Sequence, residues 1–303
     1  MADDLDPRLP DDQLASALLR HAGALALRMR TEGLAGERKT SVSDVVTAAD
    51  LAAEAWLVGQ LRRARPEDGI LGEEGASHEG TSGRAWVIDP VDGTYNFLSG
   101  SSYWCTALAL VELPPDGAPD GADGGGPDGA PDGGGPDGAP DGGGPEGGPL
   151  ADAAVLLGAV YQPQEDLLWL GGHGVPATLN GKPIDTMGDA SLAGISAGTY
   201  IHPGWLADPR AGAPWTAAAV LPATLRMLGS GSCDLARVAA GQLGCWFQHS
   251  CPPWDWLPGK ALVRAVGGDT AVVRVNGLDW FLAGPPNAVG ELALALRSGA
   301  LAR

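Results

Sequence analysis

Residues 86–94 read WVIDPVDGT, an apolar run that ends in two carboxylates three residues apart. Pro90 fixes its own φ and biases Asp89 toward an extended backbone. The carboxylates of Asp89 and Asp92 and the carbonyl of Val91 can then converge on one point. Hard divalent cations prefer oxygen ligands of this kind. The segment therefore predicts a divalent metal site at the end of a buried strand.

Gly93 and Thr94 follow the second carboxylate and extend this site toward an anion. Gly93 permits a tight turn of the backbone. If a helix begins at Thr94, the free amides of both residues can bind an anion beside the metal ligands. A metal next to an anion pocket indicates phosphate chemistry.

The composition is typical of a soluble globular protein and excludes several classes of partner. Of the 303 residues, 44% are hydrophobic, which is enough for a substantial core. The net charge of −18 argues against a nucleic acid polymer or an anionic membrane, because both are bound through clustered Lys and Arg. The acidic start and the lack of a membrane-length apolar run predict a cytoplasmic protein. Four cysteines without metal-ligand spacing are expected to be buried, reduced thiols.

A tract of Pro, Gly, Ala, Asp and one Glu occupies residues 114–149 and repeats the nonapeptide PDGAPDGGG at 127–135 and 136–144. This composition cannot bury apolar surface, so we expect a disordered acidic loop and not a domain boundary. The flanking apolar runs at 104–111 and 155–161 are expected to pair as neighbouring strands, with the tract at the hairpin tip.

Three further acidic positions lie at the ends of predicted elements. Asp50 begins a predicted helix, Glu73 and Glu74 follow a predicted strand, and Asp255 precedes another helix. Alone, Asp50 and Asp255 are explained as acids that stabilise a helix start. Adjacent carboxylates at 73 and 74 repel each other unless a cation or solvent relieves them. Together with residues 86–94, they indicate one acidic site assembled from four segments.

The hydrophobic pattern predicts alternating layers of helix and sheet. Helices are predicted near 12–30, 50–61, 215–221, 232–241, 256–266 and 287–297. Strands are predicted near 69–72, 85–88, 104–111, 155–161, 167–170, 195–199 and 271–275.

In this order and spacing, the acidic motifs resemble the inositol monophosphatase-like family of magnesium-dependent, lithium-sensitive phosphatases. The motifs are D-x-V-T-x-x-D at 44–50, E-E at 73–74, D-P-x-D-G-T at 89–94, W-D at 254–255 and G-G at 267–268. The resemblance implies an α+β fold, the layered α/β/α/β/α sandwich of the sugar phosphatases. It also implies a metal-binding part at 1–178, a C-terminal part at 179–303 that completes the site, and a homodimer.

The resemblance further implies a role for each site residue. One Mg²⁺ would be held by Glu73, Asp89 and the Val91 carbonyl, and a second by Asp89, Asp92 and Asp255, with a third, weaker ion if Glu73 contacts one more. The catalytic residues would be Asp50, Glu73 and Thr94, which direct a water at phosphorus, with Asp50 accepting from the Thr94 hydroxyl. The phosphate would be bound by the amides of Gly93 and Thr94, and the substrate by Ser230, Gly231, Gln248 and Asp255.

Gln248 decides how far the substrate can be predicted. It lies seven residues before Asp255. The resemblance implies that inositol monophosphatases carry a Glu at this position, which accepts hydrogen bonds from ring hydroxyls. A neutral Gln binds a polyol without charge assistance. We therefore expect a phosphomonoesterase for a small polyol or sugar phosphate such as inositol monophosphate. The alternatives are a histidinol-phosphatase, a 3′(2′),5′-bisphosphate nucleotidase and, in another class, a non-catalytic metal-binding member of the family.

Overall fold

The computed structural model describes residues 5–32, 36–38, 45–113, 150 and 153–301. Its helices are α1 (Asp11–Thr31), α2 (Ala48–Ala64), α3 (Thr94–Ser99), α4 (Pro203–Ala207), α5 (Pro209–Ala219), α6 (Gly231–Ala239), α7 (Pro253–Ala265) and α8 (Pro286–Leu301). Its strands are β1 (Gly36–Arg38), β2 (Val45–Thr47), β3 (Gly69–Gly72), β4 (Ser77–His78), β5 (Arg84–Asp92), β6 (Cys105–Glu112), β7 (Ala154–Gln162), β8 (Leu167–Gly172), β9 (Val175–Leu179), β10 (Lys182–Pro183), β11 (Ser196–Thr199), β12 (Thr224–Arg226), β13 (Cys245–His249), β14 (Asp269–Val275) and β15 (Leu278–Gly284).

The larger sheet contains eight strands in the order β10-β9-β8-β7-β6-β5-β3-β4. Most neighbours are antiparallel, but β3 and β5 are parallel, with Gly72 opposite Ile88. The acidic ends of these two strands therefore meet at one edge. The smaller sheet has the order β12-β11-β13-β15-β14, in which β12, β11 and β13 run parallel. A short pair, β1 and β2, stands apart from both sheets.

Side chains alternate across the larger sheet and bury both of its faces. Trp86 and Ile88 of β5 pack with Leu57 of α2 in one core that also includes α1. Val87 of β5 packs in a second core with α6 and α7. This alternation is expected of a strand that is covered on both sides.

The smaller sheet packs against the other side of α6 and α7. In β13, Trp246 joins the core that contains these two helices, whereas Phe247 joins a third core with α5 and α8. The order of layers is therefore helix, sheet, helix, sheet and helix. This arrangement confirms the α+β sandwich that the resemblance implied.

Strands β6 and β7 pair directly on either side of the Pro/Gly/Asp tract. Glu112 of β6, two residues before the tract begins, lies opposite Ala154 of β7. The predicted pairing of the flanking strands is confirmed, whereas the disorder expected for 114–149 falls outside the described residues. Strands β9 and β10 complete the larger sheet, so residues 179–183 pair with the N-terminal part. The boundary expected between the two parts, at 178/179, remains a prediction. Among the described helices, none combines the length and apolar character needed to cross a bilayer.

Candidate metal and phosphate site

A β-bulge in β5 brings the two aspartates of the D-P-x-D motif onto one face. Side chains three residues apart on a regular strand point to opposite faces. Here Asp89 lies opposite Ala107 and Asp92 opposite Cys105, so three steps along β5 match two along β6. The extra residue turns Asp92 back to the side of Asp89, facing the layer of α6 and α7.

Asp255 completes the cluster from the first turn of α7. Asp89, Asp92 and Asp255 each offer a carboxylate oxygen, and these oxygens all lie within 4.8 Å of one another. Asp89 and Asp92 are buried, and Asp255 is half-buried. Two segments far apart in the sequence, β5 and the start of α7, therefore supply one compact set of oxygen ligands.

Asp89 is the strongest indication that a cation belongs here. It is fully buried, and neither of its carboxylate oxygens accepts from an amide, guanidinium or hydroxyl group of the described residues; its close polar neighbours are other carboxyls. Burial, followed by the charges of Glu73 and Asp92, raises its pKa well above the ordinary value. Burial and the charge of Asp92 likewise raise the pKa of Asp255 to about 8. A bound cation would remove this penalty by pairing with the ionised carboxylates.

Glu73 joins the cluster because β3 runs parallel to β5. Its amide donates to the carbonyl of Ile88 at 3.3 Å, which places Glu73 beside Asp89. Without a cation, these two carboxyls lie close enough to share a proton. Burial and then the charge of Asp255 raise the pKa of Glu73, and the charge of Asp50 adds to the effect. Asp50 is buried near the start of α2, so the structure brings all four predicted acidic segments together.

Glu54 is a member of the site that the sequence did not indicate. It lies one turn after Asp50 on α2, is buried, and accepts from the amides of Glu74 at 2.9 Å and Ala76 at 3.0 Å. These bonds fix the turn that carries Glu73. Because Glu54 occupies an ordinary position in an amphipathic helix, its spacing alone carried no signal.

Asp92 is held in place by the first turn of α6. Its Oδ2 accepts from the Ser230 hydroxyl at 3.0 Å and from the Ser232 amide at 2.6 Å. Ser230 also caps α6 by accepting from the amide of Cys233 at 3.3 Å. The substrate role expected of Ser230 therefore competes with its bond to Asp92, while Gly231 lies between these contacts and faces Asp255.

Thr94 makes a different hydrogen bond from the one expected. Its hydroxyl donates to the Val91 carbonyl at 3.1 Å, and α3 begins at this residue as anticipated. A hydroxyl has one proton, so in this arrangement it is not directed at Asp50. The carbonyl of Val91 keeps a second lone pair that is available to a cation.

Gln248 lies near the end of β13 on the face that carries Trp246, toward α6 and α7. Its neighbour His249 points to the opposite face, where it contacts Trp205 and Trp280. Gln248 is half-buried, so part of the residue remains accessible to solvent. The structure thus places Gln248 on the same side of the smaller sheet as the helix layer that carries Asp255.

Comparison with known proteins extends these observations over most of the chain. The model of the inositol monophosphatase family matches residues 10–120 and 148–293, leaving out most of the Pro/Gly/Asp tract. The Nus factor SuhB of Xylella fastidiosa is 30% identical over 226 residues, covering 74% of this chain and 68% of that protein. The probable inositol 1-monophosphatase ImpA of Mycobacterium tuberculosis is 29% identical over 305 residues, covering 95% and 96%.

Solved structures share the fold at lower sequence identity. The extragenic suppressor protein SuhB of Bartonella henselae has a TM-score of 0.73 at 22% identity, covering 95% of this chain and 98% of that one. The staphylococcal IMPase-II gives a TM-score of 0.69 both with inositol monophosphate, at 20% identity, and with 2′AMP, at 21%. These two comparisons cover 94% and 95% of this chain and 93% and 94% of the other. The match to the family model spans well over half of the sequence, and the chain belongs to the inositol monophosphatase family.

Proposed function

We propose that this phosphoric monoester hydrolase uses Mg²⁺ to cleave a small polyol or sugar phosphate, such as inositol monophosphate. The observation that carries the proposal is Asp89, a buried acid without an amide, guanidinium or hydroxyl donor among the described residues, beside Asp92 and Asp255. A buried carboxylate in this position is stable when a cation compensates its charge. The atoms available to bind a metal are all oxygens, which fits a hard ion such as Mg²⁺.

The residues that would hold the ions are Glu73, Asp89, Val91 through its carbonyl, Asp92 and Asp255. We propose two ions, with a third if Glu73 contacts one more. When bound, Mg²⁺ supplies Lewis acid chemistry, stabilises the charge of the transition state and lowers the pKa of water. The remaining steps belong to the side chains around it.

Thr94 and Glu73 would orient the attacking water. Because the Thr94 hydroxyl donates its hydrogen bond to the Val91 carbonyl, its oxygen is left to accept a hydrogen bond from a water molecule. Glu73 lies beside Asp89 at the end of β3, and its carboxylate would accept a hydrogen bond from the same water. Asp50 acts on Glu73 through its negative charge. In this account the water is aligned on one side of the phosphate and no covalent phosphoenzyme is needed.

The substrate would lie between the two parts of the chain. The amides of Gly93 and Thr94 would bind the phosphate, and Ser230, Gly231 and Gln248 would contact the substrate from the other side. Gln248 can both donate to and accept from hydroxyl groups, which fits a neutral polyol. The names of relatives support this class, since ImpA is called a probable inositol 1-monophosphatase. The complex of staphylococcal IMPase-II with 2′AMP keeps a nucleotide among the alternatives.

Release of inorganic phosphate tests the proposal. Purified protein is incubated with inositol 1-phosphate, histidinol phosphate, adenosine 3′,5′-bisphosphate and a generic phosphomonoester, each with Mg²⁺ or with EDTA. We expect Mg²⁺-dependent release that is fastest with the polyol phosphate. Preference for histidinol phosphate or for the bisphosphate would replace the substrate and keep the mechanism.

A non-catalytic role is the second candidate, and a specific observation favours it. The first relative described above is named as a Nus factor and not as a phosphatase. Retention of the acidic ligands together with Asp50 and Thr94, the positions expected to orient the water, argues against decay of an active site and favours catalysis. Absence of phosphate release from every ester, in a protein that is still stabilised by Mg²⁺, would establish the second candidate.

We also propose a homodimer that functions in the cytoplasm. Both are expectations from the sequence, the homodimer being implied by the resemblance to the family. Light scattering of the purified protein at several concentrations measures the first, and fractionation of the producing cell measures the second.

A further inference from the structure

Asn96 connects two loops that are distant in the sequence. It lies on α3, two residues after Thr94, and both bonds of its Nδ2 go to backbone carbonyls. One carbonyl belongs to Tyr103 at 2.8 Å, and the other to Leu228 at 2.7 Å, which is 132 residues away. The two N–H groups of the amide are thus fully used. Asn96 therefore joins the phosphate-side turn of the N-terminal part to a loop of the C-terminal part.

The loop that Asn96 holds is packed closely against the D-P-x-D-G-T turn. Gly229 has a φ of +84°, and a Cβ at this position would lie 3.0 Å from Nδ2 of Asn96. A Cβ at Gly93 would lie 3.1 Å from the carbonyl oxygen of Gly229 and 3.2 Å from the Cβ of Ser230. Backbone meets backbone here, so a shift of one segment displaces the other.

This loop leads directly into the bonds that orient Asp92. Ser230 follows Gly229, caps α6, and donates to Oδ2 of Asp92, and the Ser232 amide donates to the same oxygen. Ligand oxygens are aimed by the groups that hydrogen-bond them, and loss of such a partner lowers metal affinity. Asn96 acts on Asp92 indirectly, because it fixes the loop that leads into these hydrogen-bond donors.

We infer that Asn96 is a positioning residue that sets the metal affinity of the site by fixing the loop Leu228–Ser230 and, through it, the orientation of Asp92. The inference rests on the proposed function only in requiring that a divalent cation binds the acidic cluster. Asn96 itself touches neither a carboxylate of the cluster nor the reacting atoms in this account. Its effect is therefore expected in the binding of Mg²⁺ and not in the chemical step.

Asn96→Asp tests the inference with little change in shape. The variant places a carboxylate oxygen against two carbonyl oxygens in place of two N–H donors, so both bonds are lost and repulsion is added. The milder Asn96→Ser removes the bonds without adding charge, and serves if the first variant does not fold. Asn180→Asp is the matched control, because Asn180 also makes two backbone bonds, to Asp166 at 2.7 Å and from Leu168 at 2.8 Å, in a turn after β9.

The measurement is the melting temperature of substrate-free protein, titrated with Mg²⁺. We expect the Mg²⁺ concentration for half-maximal stabilisation to rise about tenfold or more in the Asn96 variants and to stay unchanged in Asn180→Asp. We also expect kcat at saturating Mg²⁺ to recover to within about twofold of the wild type, since the reacting groups are intact.

Equal Mg²⁺ titrations for the wild type and both Asn96 variants would overturn the inference and leave the proposed function standing. A similar rise in Asn180→Asp, or unfolding of both Asn96 variants where the control folds, would overturn it too, because the effect would be general destabilisation. A wild type that Mg²⁺ does not stabilise would overturn the proposed function and this inference together.

Discussion

The carboxylate of Glu54 fills the space that a side chain at Gly72 would need, so that a Cβ at Gly72 would overlap its Oε2. The same carboxylate accepts from the amides of Glu74 and Ala76. The absence of a side chain at Gly72 therefore allows the Glu54 carboxylate to approach the backbone. Its hydrogen bonds hold the turn after β3 against α2, with Glu73 directed at Asp89.

Glu54→Gln should loosen this turn. Glutamine keeps one acceptor but turns an NH₂ group toward the second amide, so one buried bond becomes a donor–donor contact. We expect a loss of about 1–3 kcal/mol in the free energy of unfolding and weaker binding of Mg²⁺. Urea unfolding and a Mg²⁺ titration of the melting temperature measure the two effects. Glu67→Gln, at an exposed position before the same strand, is the control and should change neither.

Asp89→Asn should abolish turnover and leave the protein folded. The Asp89 carboxylate would be a ligand of both proposed ions, so removing its charge would weaken the binding of both. The expected loss of transition-state stabilisation is on the order of several kcal/mol, or about 10²-fold or more in kcat. In EDTA at pH 8 the variant should melt no lower than the wild type, because the substitution removes a buried carboxyl group that has no cation to compensate its charge. Near-normal hydrolysis would contradict the metal assignment.

The acidic cluster should make the metal-free protein less stable as the pH rises. Folding raises the pKa of Glu73, Asp89 and Asp255, the last to about 8. Between pH 5 and 8, the folded protein therefore holds protons that the unfolded chain has released, and the free energy of unfolding falls with pH. Urea unfolding in EDTA should show this slope, Asp255→Asn should reduce it, and Mg²⁺ should reduce it by pairing with the ionised groups. A flat or rising profile in EDTA would show that the cluster is not strained.

The sequence predicted the convergence of Asp89, Asp92 and Asp255, but not the way in which the backbone achieves it. The expectation relied on Pro90 and an extended strand. The structure adds a bulge against β6, and it is this extra residue that returns Asp92 to the face of Asp89. A bulge depends on the partner strand as well as on the motif, and the partner is not visible in the local pattern.

Elements whose signal depends on distant contacts were harder to predict. Strand β13 was not predicted, because Cys245, Trp246 and Phe247 are all buried and show no alternation. Helix α5 was predicted near 215–221, but it spans Pro209–Ala219, since Asp208 caps it by accepting from the amide of Arg210. Pro at the first helical position together with an Asp cap is a recognisable helix start, so that signal was available in the sequence.

Replacing residues 114–149 by a short Asn-Gly turn should leave the melting temperature and kcat nearly unchanged. The strands on either side pair directly, and the tract offers only Pro, Gly, Ala, Asp and one Glu to any core. Shortening the connection changes its closure entropy by roughly a kcal/mol. Differential scanning calorimetry and a phosphate-release assay on both proteins make the comparison. Loss of solubility or activity in the shortened protein would assign the tract a structural role.

Gln248→Glu addresses the substrate, and it depends on the position of Gln248 on the face of β13 toward α6 and α7. If Gln248 contacts the leaving group, a carboxylate there accepts more strongly from ring hydroxyls than an amide does. We expect kcat/KM for inositol monophosphate to rise, with the activation free energy lowered by about 1–2 kcal/mol. A small generic phosphomonoester offers no hydroxyls at this position, so its kcat/KM should barely move.

Both substrates are measured on one preparation, because this separates the pocket from the metal site. A new carboxylate could also act by attracting Mg²⁺, and in that case hydrolysis of the two esters would change by the same factor. A gain limited to the polyol phosphate can come only from contact with its hydroxyls. Equal changes for both esters, or none for either, would place Gln248 outside the leaving-group pocket. The neutral side chain at this position would then no longer be a reason to look beyond inositol monophosphate for the substrate.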